Sequence, residues 1–286
     1  MKKDKAKKIR PEQEQAKQPG SENLMKPKPK SAPKPGTPKL NEKVVLITGG
    51  DSGIGKAVAL ACAREGANIC ISYLDEHKDA KQTAKEIKKL GHKVHLISGD
   101  IGDEKHCKQI IKETIDIFGG LDVLVNNAAV QYPQDSLMAI TSKQLKKTFT
   151  TNIFAHFYLS KAALPHLKRG SCIICTTSVT AYRGSHHLID YAATKGAIVA
   201  FIRSLSASLA EQGIRVNGVA PGPVWTPLIP SSFSAEQVAT FGSDVPLQRA
   251  GDPNEIAPCY VFLASEDASY LTGQVIHPNG GEIING

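Results

Sequence analysis

Tyr191 and Lys195 stand four residues apart in YAATK, a spacing that puts both side chains on one face of a helix. A free tyrosine has a pKa of about 10, too high for a general base at neutral pH. A neighbouring ammonium favours the phenolate, so Lys195 is expected to lower that value. The pair is therefore a candidate acid–base unit, although taken alone it is an ordinary helical pair. A second chemistry is written in TGGDSGIG, residues 48–55. Gly49, Gly53 and Gly55 permit a tight turn and close backbone approach to a pyrophosphate. Ser52 and Ile54 are expected to line that turn, and a helix opening there offers free N–H groups and positive dipole potential.

These groups need elements to position them, and the chain from residue 41 alternates short β-branched runs with amphipathic stretches. The strands are expected at 43–48, 68–73, 93–98, 121–127, 172–178, 214–220 and 274–278. Helices are expected over 54–65, 77–90, 103–118, about 142–167, 191–212 and 253–265. Strands that are apolar along most of their length and alternate with helices argue an α/β fold: a doubly wound parallel sheet of Rossmann type, three layers deep (α-β-α), in a single domain. Ligands of such sheets bind beyond the carboxyl ends of the strands. The glycine turn, Asp100, Asn126, Ser178 and Pro221 all fall at or just past those ends. The end of the second strand, near Tyr73, is where an acidic residue would select NAD and a basic one NADP. Neither charge stands there, with Asp75 and Glu76 slightly beyond, so both cofactors stay open.

The net charge of +8 sits in one place. Residues 1–40 hold 12 Lys/Arg against 4 Asp/Glu and seven prolines, while the remaining residues hold 23 of each sign. Such a segment cannot bury enough surface to offset its ordering entropy and is expected to be a disordered tail, with 41–286 as the catalytic domain. It lacks the interleaved aromatics of a base-stacking surface, so nucleic acid is not an expected partner. No apolar run is long enough to span a membrane, and no apolar stretch follows the basic N-terminus, so a cytoplasmic location is expected. Six scattered cysteines fit reduced, buried thiols. Cys172 and Cys175 form a C-x-x-C, but three residues apart on a strand point to opposite faces, which opposes a shared metal or redox site. No metal is expected.

Over 41–286 the chain resembles the short-chain dehydrogenase/reductase family. The resemblance rests on TGGDSGIG (48–55), GDI (99–101), NNAA (126–129), Asn152, Ser178, YAATK (191–195) and PGPVWT (221–226). Among its members the chain is most similar to bacterial general-stress proteins with a Lys/Pro-rich N-terminal extension. The resemblance implies an NAD(P)-dependent oxidoreductase moving hydride between nicotinamide and a small alcohol/carbonyl substrate, and a homotetramer. Tyr191 would exchange the proton at the substrate oxygen, Ser178 would hydrogen-bond that oxygen, and Lys195 would also hold the nicotinamide ribose. Asn152 would anchor a water in a proton relay. Asp100 would bond the adenine amino group, with Ile101 packing on its ring. Asn126 would brace the sheet beside the cofactor, which Ala128 would line. Pro221, Gly222, Val224 and Thr226 would meet the carboxamide. Residues 223–245 are expected to be a substrate lid, in which Trp225 caps a small substrate or simply packs. His186 and His187 read as solvated loop residues. Two positions depart from the family pattern: Ala129 for a glycine, and Asn279 for an acidic residue. An alternative reading is a stress-related cofactor-binding protein whose basic tail mediates an interaction.

Overall fold

The computed structural model describes residues 38–284, so most of the basic tail lies outside the described residues. Seven parallel strands form one sheet: β1 (Val44–Thr48), β2 (Asn68–Tyr73), β3 (Val94–Ser98), β4 (Val123–Asn126), β5 (Cys172–Thr176), β6 (Arg215–Val219) and β7 (Val275–Ile276). Their order is β3-β2-β1-β4-β5-β6-β7. The chain therefore winds outward from β1 to one edge, returns, and winds from β4 to the other. The reversal between β1 and β4 opens a crevice at their carboxyl ends, the place where doubly wound sheets hold ligands.

Alternation along the strands splits the core into two layers. Val45, Ile47, Ile69, Ile71, Val123, Val125, Cys172 and Ile174 face one side. There they meet α1 (Gly53–Arg64) through Val58, Ala59 and Cys62, and α9 (Pro253–Ala264) through Ile256, Ala257 and Tyr260. Leu46, Cys70, Leu124, Ile173 and Cys175 face the other side. Their partners are α3 (Glu104–Phe118), α5 (Ala155–Ala163) and α7 (Ile189–Leu209). Cys172 and Cys175 thus belong to opposite layers, as the period of a strand requires, and the described cysteines are all free. The charged helix α2 (His77–Lys89) covers the β3 edge with Ala80, Thr83, Ala84 and Ile87 buried.

Three boundaries differ from the expected ones. The folded body begins before residue 41. Leu40 is buried in the α1 layer, its N–H donates to Glu65 O at 2.8 Å, and Lys39 pairs with Asp267. One apolar side chain was hidden there among tail residues. The single helix expected over 142–167 is three pieces: α4 (Ser142–Phe149), a π-turn at Thr150–Phe154, and α5, closed by a short 3₁₀ turn at Leu164–His166. A single π-turn inside a helix is a recurrent device of functional sites, and this one contains Asn152. Third, two short helices went unforeseen, α6 (Thr180–Arg183) and α8 (Ala235–Ala239). The second starts from a capping box in which Ser234 and Gln237 satisfy each other's backbone N–H.

Candidate active site

The crevice is a cavity of about 790 Å³. The β1–α1 turn contributes Gly49, Asp51, Ser52, Gly53 and Ile54. Here the glycines are required by geometry. Gly49 and Gly53 have φ of +62° and +52°, and a Cβ on Gly49 would sit 3.1 Å from Ala128 Cα. Gly55 lies beneath the turn, where a Cβ would stand 1.9 Å from Gly49 O. It packs helix against strand and does not line the cavity. Gly55→Ala is expected to displace the turn, lower the melting temperature by about 5–10 °C through overpacking of a backbone contact, and weaken dinucleotide binding about tenfold or more. Thermal unfolding and cofactor titration on the variant check both effects.

Along the floor, β2 delivers Ser72 and Tyr73, followed by Leu74, Asp75 and Glu76, so the two carboxylates that looked slightly distant in the sequence do line the cavity. The Tyr73 hydroxyl lies 2.9 Å from His77 Nδ1. Asp100 and Ile101 line it beyond β3. Burial tends to raise the Asp100 carboxyl. Hydrogen bonds from Lys147 (2.7 Å) and the Gly102 N–H (2.8 Å) outweigh that and hold it below the usual range. Pro221, Gly222, Val224 and Thr226 form the far wall with Leu228, Ile229 and Phe233. This segment is pinned where the Trp225 backbone N–H donates to Gly251 O at 2.9 Å. Trp225 itself is 49% exposed and lies off the cavity wall, so it caps nothing there. His186 is exposed, its ring 3.9 Å from that of His187, and neither lines the cavity.

The NNAA segment corrects the sequence reading. Asn126 is buried inside the sheet, its amide donating to Ser160 Oγ at 3.4 Å, and it is not a wall residue. Its neighbour Asn127 does the bracing. The Asn127 amide donates to Thr48 O at 3.0 Å and Gly49 O at 3.4 Å, and its Oδ1 accepts from Thr176 Oγ1 at 3.2 Å. It thereby ties the glycine turn across the switch point to β5. Strand parity near the end of β4 could have separated the two asparagines. Ala128 and Ala129 line the cavity, the latter without obstruction. Asn279 is a turn residue: its amide donates to Glu282 O at 2.8 Å and its Oδ1 accepts from Gly281 N–H.

Ser178, Tyr191 and Lys195 converge on one wall. Ser178 Oγ accepts from Thr180 N–H (3.1 Å) and Thr180 Oγ1 (3.0 Å). With both lone pairs occupied, its own proton is left to serve the Tyr191 oxygen, which favours the ionised phenol. Lys195 is 1% exposed; its Nζ donates to Thr176 O at 2.8 Å and lies 5.3 Å from the Tyr191 ring centre. The expected lowering of the Tyr191 pKa does not occur in the free protein. Burial pushes the phenol up to about 12, with the Ser178 hydrogen bond acting against it. The same burial brings Lys195 down to about 7. Removal from water disfavours each charged form more than the pair's attraction favours it. Asn152 also departs from expectation. Its Oδ1 accepts from Val130 N–H (2.9 Å), and its amide donates to Val130 O (2.8 Å) and Thr194 Oγ1 (3.3 Å). Fully buried and off the wall, the side chain pins the Val130 segment to α7 and does not face water in the cavity.

The crevice fits a dinucleotide: the turn is a cradle that side chains would fill, closed by a helix N-terminus. The described residues hold no group of His, Cys, Asp and Glu placed to bind a metal, and none of their helices is long and apolar enough to cross a membrane. Fold and crevice together define a dinucleotide-binding protein of the doubly wound class. A family model described as enoyl-(acyl carrier protein) reductase matches residues 49–282. General stress protein 39 of Bacillus subtilis is 53% identical, over 96% of either chain. The chloroplastic NADPH-dependent aldehyde reductase 1 of Arabidopsis thaliana is 52% identical, over 96% of this chain and 98% of the relative. A short-chain dehydrogenase from Burkholderia cenocepacia J2315, solved in complex with NADP, superposes with a TM-score of 0.80 at 31% identity, covering 85% of this chain and 98% of that one. The chain belongs to the short-chain dehydrogenase/reductase family and is an NAD(P)-dependent oxidoreductase.

Proposed function

We propose that the enzyme reduces small aldehydes or ketones to alcohols, and runs the reverse oxidation, with Tyr191 as general acid and base. The observation that carries this reading is the convergence of Ser178, Tyr191 and Lys195 on one cavity wall, with Lys195 Nζ 5.3 Å from the Tyr191 ring centre. A phenol raised by burial to about 12 holds its proton throughout the neutral range in the free protein, and it gives that proton to a carbonyl oxygen as the phenolate becomes favoured. Ser178 polarises that oxygen from the side. As the phenolate forms, the Lys195 ammonium beside it gains a charge partner, which favours both ions together. The same lysine is placed to hold the nicotinamide ribose, Asp100 and Ile101 the adenine, and Pro221, Gly222, Val224 and Thr226 the carboxamide end. Bound nicotinamide supplies or accepts the hydride. The aldehyde reductase named above is consistent with a carbonyl substrate.

We infer further that the protein works as a homotetramer in the cytoplasm. Phe157 of α5, 53% exposed, packs its ring against Phe201 of α7, an exposed apolar contact that supports association. The free, mostly buried cysteines fit a reducing compartment.

Titration with NAD(H) and NADP(H) side by side, followed by a panel of small aldehydes and ketones with the tighter reduced cofactor, tests the reading. Turnover with members of the panel is the expected result. Tight cofactor binding with no carbonyl turned over in either direction overturns it.

A further inference from the structure

Asp190 immediately precedes Tyr191 in the first turn of α7 and is 3% exposed, yet no part of the chemistry above uses it. Its carboxylate accepts three hydrogen bonds. Oδ1 takes the Tyr191 N–H at 2.9 Å, and Oδ2 takes Thr148 Oγ1 at 2.8 Å and Gln144 Nε2 at 3.1 Å. All three donors are neutral. A carboxylate out of water is retained only where donors satisfy it, and here the helix N-terminus adds its dipole.

The donors reach well beyond Asp190. Gln144 Nε2 also donates to Tyr132 O at 3.1 Å, while Gln144 Oε1 accepts from Gln134 Nε2 at 2.7 Å. This side chain has each of its polar ends engaged, which fixes its amide orientation. Tyr132 belongs to the cavity-wall segment 127–132, which Asn152 already grips at Val130. The α4 stretch and the π-turn after it thus hold the wall at two points, Val130 and Tyr132. Through Thr148 and Gln144 they hold the start of α7 at a third, the residue adjoining the proton donor. Thr194 closes the ring: it accepts from Asn152 and donates to Tyr191 O at 2.7 Å.

We propose that Asp190 is a positioning residue, whose buried carboxylate, bound by Thr148 and Gln144, sets the Tyr191 hydroxyl in register with the substrate wall at Val130–Tyr132. The proposal rests on the reading of Tyr191 as proton donor. Asp190 touches neither cavity nor substrate; it acts through the backbone of its neighbour.

Two variants test it on the full chain. Asp190→Asn keeps shape but replaces one acceptor oxygen with a donor, so donors now served by two oxygens compete for one. Thr148→Val removes a single hydroxyl from a fully buried site off the cavity. Each is expected to lower kcat about 10- to 100-fold, the scale of a misplaced reacting group, with carbonyl KM and cofactor Kd changed less than about threefold. Thr148→Ser, which keeps the hydroxyl, is expected to restore most of kcat. A kcat within about twofold of wild type in folded Thr148→Val overturns the proposal. So does a Thr148→Ser loss equal to that of Thr148→Val, or a loss that appears in cofactor affinity. Turnover retained in Tyr191→Phe would defeat the underlying reading; an inactive Tyr191→Phe beside a fully active Thr148→Val defeats the positioning role alone.

Discussion

Replacing Tyr191 with phenylalanine is expected to lower kcat/KM for carbonyl reduction by about 10²–10⁴-fold, the usual worth of a positioned general acid. The ring would stay where it is, packed in the α7 wall and under the Lys195 ammonium at 5.3 Å. What is lost is one oxygen, and with it the proton that the substrate oxygen must receive. Ser178 does not replace it, since a serine hydroxyl polarises by hydrogen bonding but gives up its proton far less readily than a phenol. Cofactor Kd is expected to stay within about twofold, because the glycine turn, Asp100 and the Pro221–Thr226 wall are untouched. Stability is expected to hold, because Ser178 keeps its bonds from Thr180. Steady-state kinetics alongside cofactor titration separates these outcomes. Wild-type turnover in the phenylalanine variant would remove Tyr191 from the chemistry.

Lys195→Met is expected to abolish most turnover as well, and it makes a separate prediction about pH. In the folded, cofactor-free protein the Lys195 pKa lies near 7, against 10.5 for a free lysine. Below about pH 7 both folded and unfolded chains carry the proton, and the folded one bears a charge that burial disfavours. Between about 7 and 10.5 the unfolded chain binds a proton that the folded chain has shed, so stability climbs with pH. The Lys195 contribution is therefore complete only above the unfolded value and is lost as pH falls through about 7. Methionine is of similar length and carries no charge. Urea unfolding at about pH 6, 8 and 10 is expected to show the variant gaining most on wild type at the lowest pH, by as much as a few kcal/mol on the scale of about 1.4 kcal/mol per pKa unit. The gain should shrink steadily toward pH 10. Parallel stability curves would show that Lys195 keeps its charge without cost.

The parts of this protein legible in the sequence are those set by local pattern. The strand NICISY lies at Asn68–Tyr73, the bounds its sequence pattern gives. The glycine turn declares itself because only glycine tolerates Gly49 and Gly53 φ angles and the Gly55 contact. Tyr191, Lys195 and Ser178 were placed on one wall because helix spacing and strand ends determine where they must lie. What escaped depends on contacts between distant segments. Asn126 and Asn127 differ only in which side of the sheet each faces, so the bracing residue was taken to be its neighbour. Trp225 turns outward because the base of its segment is tied to Gly251, a partner 26 residues away. The direction of the Tyr191 shift follows from how deeply the pair is buried, which no spacing reveals. Asp190 offered only its chain position beside Tyr191, and its importance emerges from Gln144 and Thr148, more than forty residues earlier.

The π-turn at Thr150–Phe154 is, in genetic terms, a single extra codon. A π-turn takes up one residue more than an α-turn, so removing one residue here would let the turn close as ordinary α-helix with its flanks still in phase. The chain would fold that helix more comfortably and lose the local bulge that presents Asn152 to Val130. At present the first half presents Gln144 and Thr148 to α7, while the second buries Leu159 and Ala163 beside α3. The extra residue between them turns Asn152 to Val130. In-frame deletion within this turn should accordingly be tolerated by the fold more readily than by the reaction.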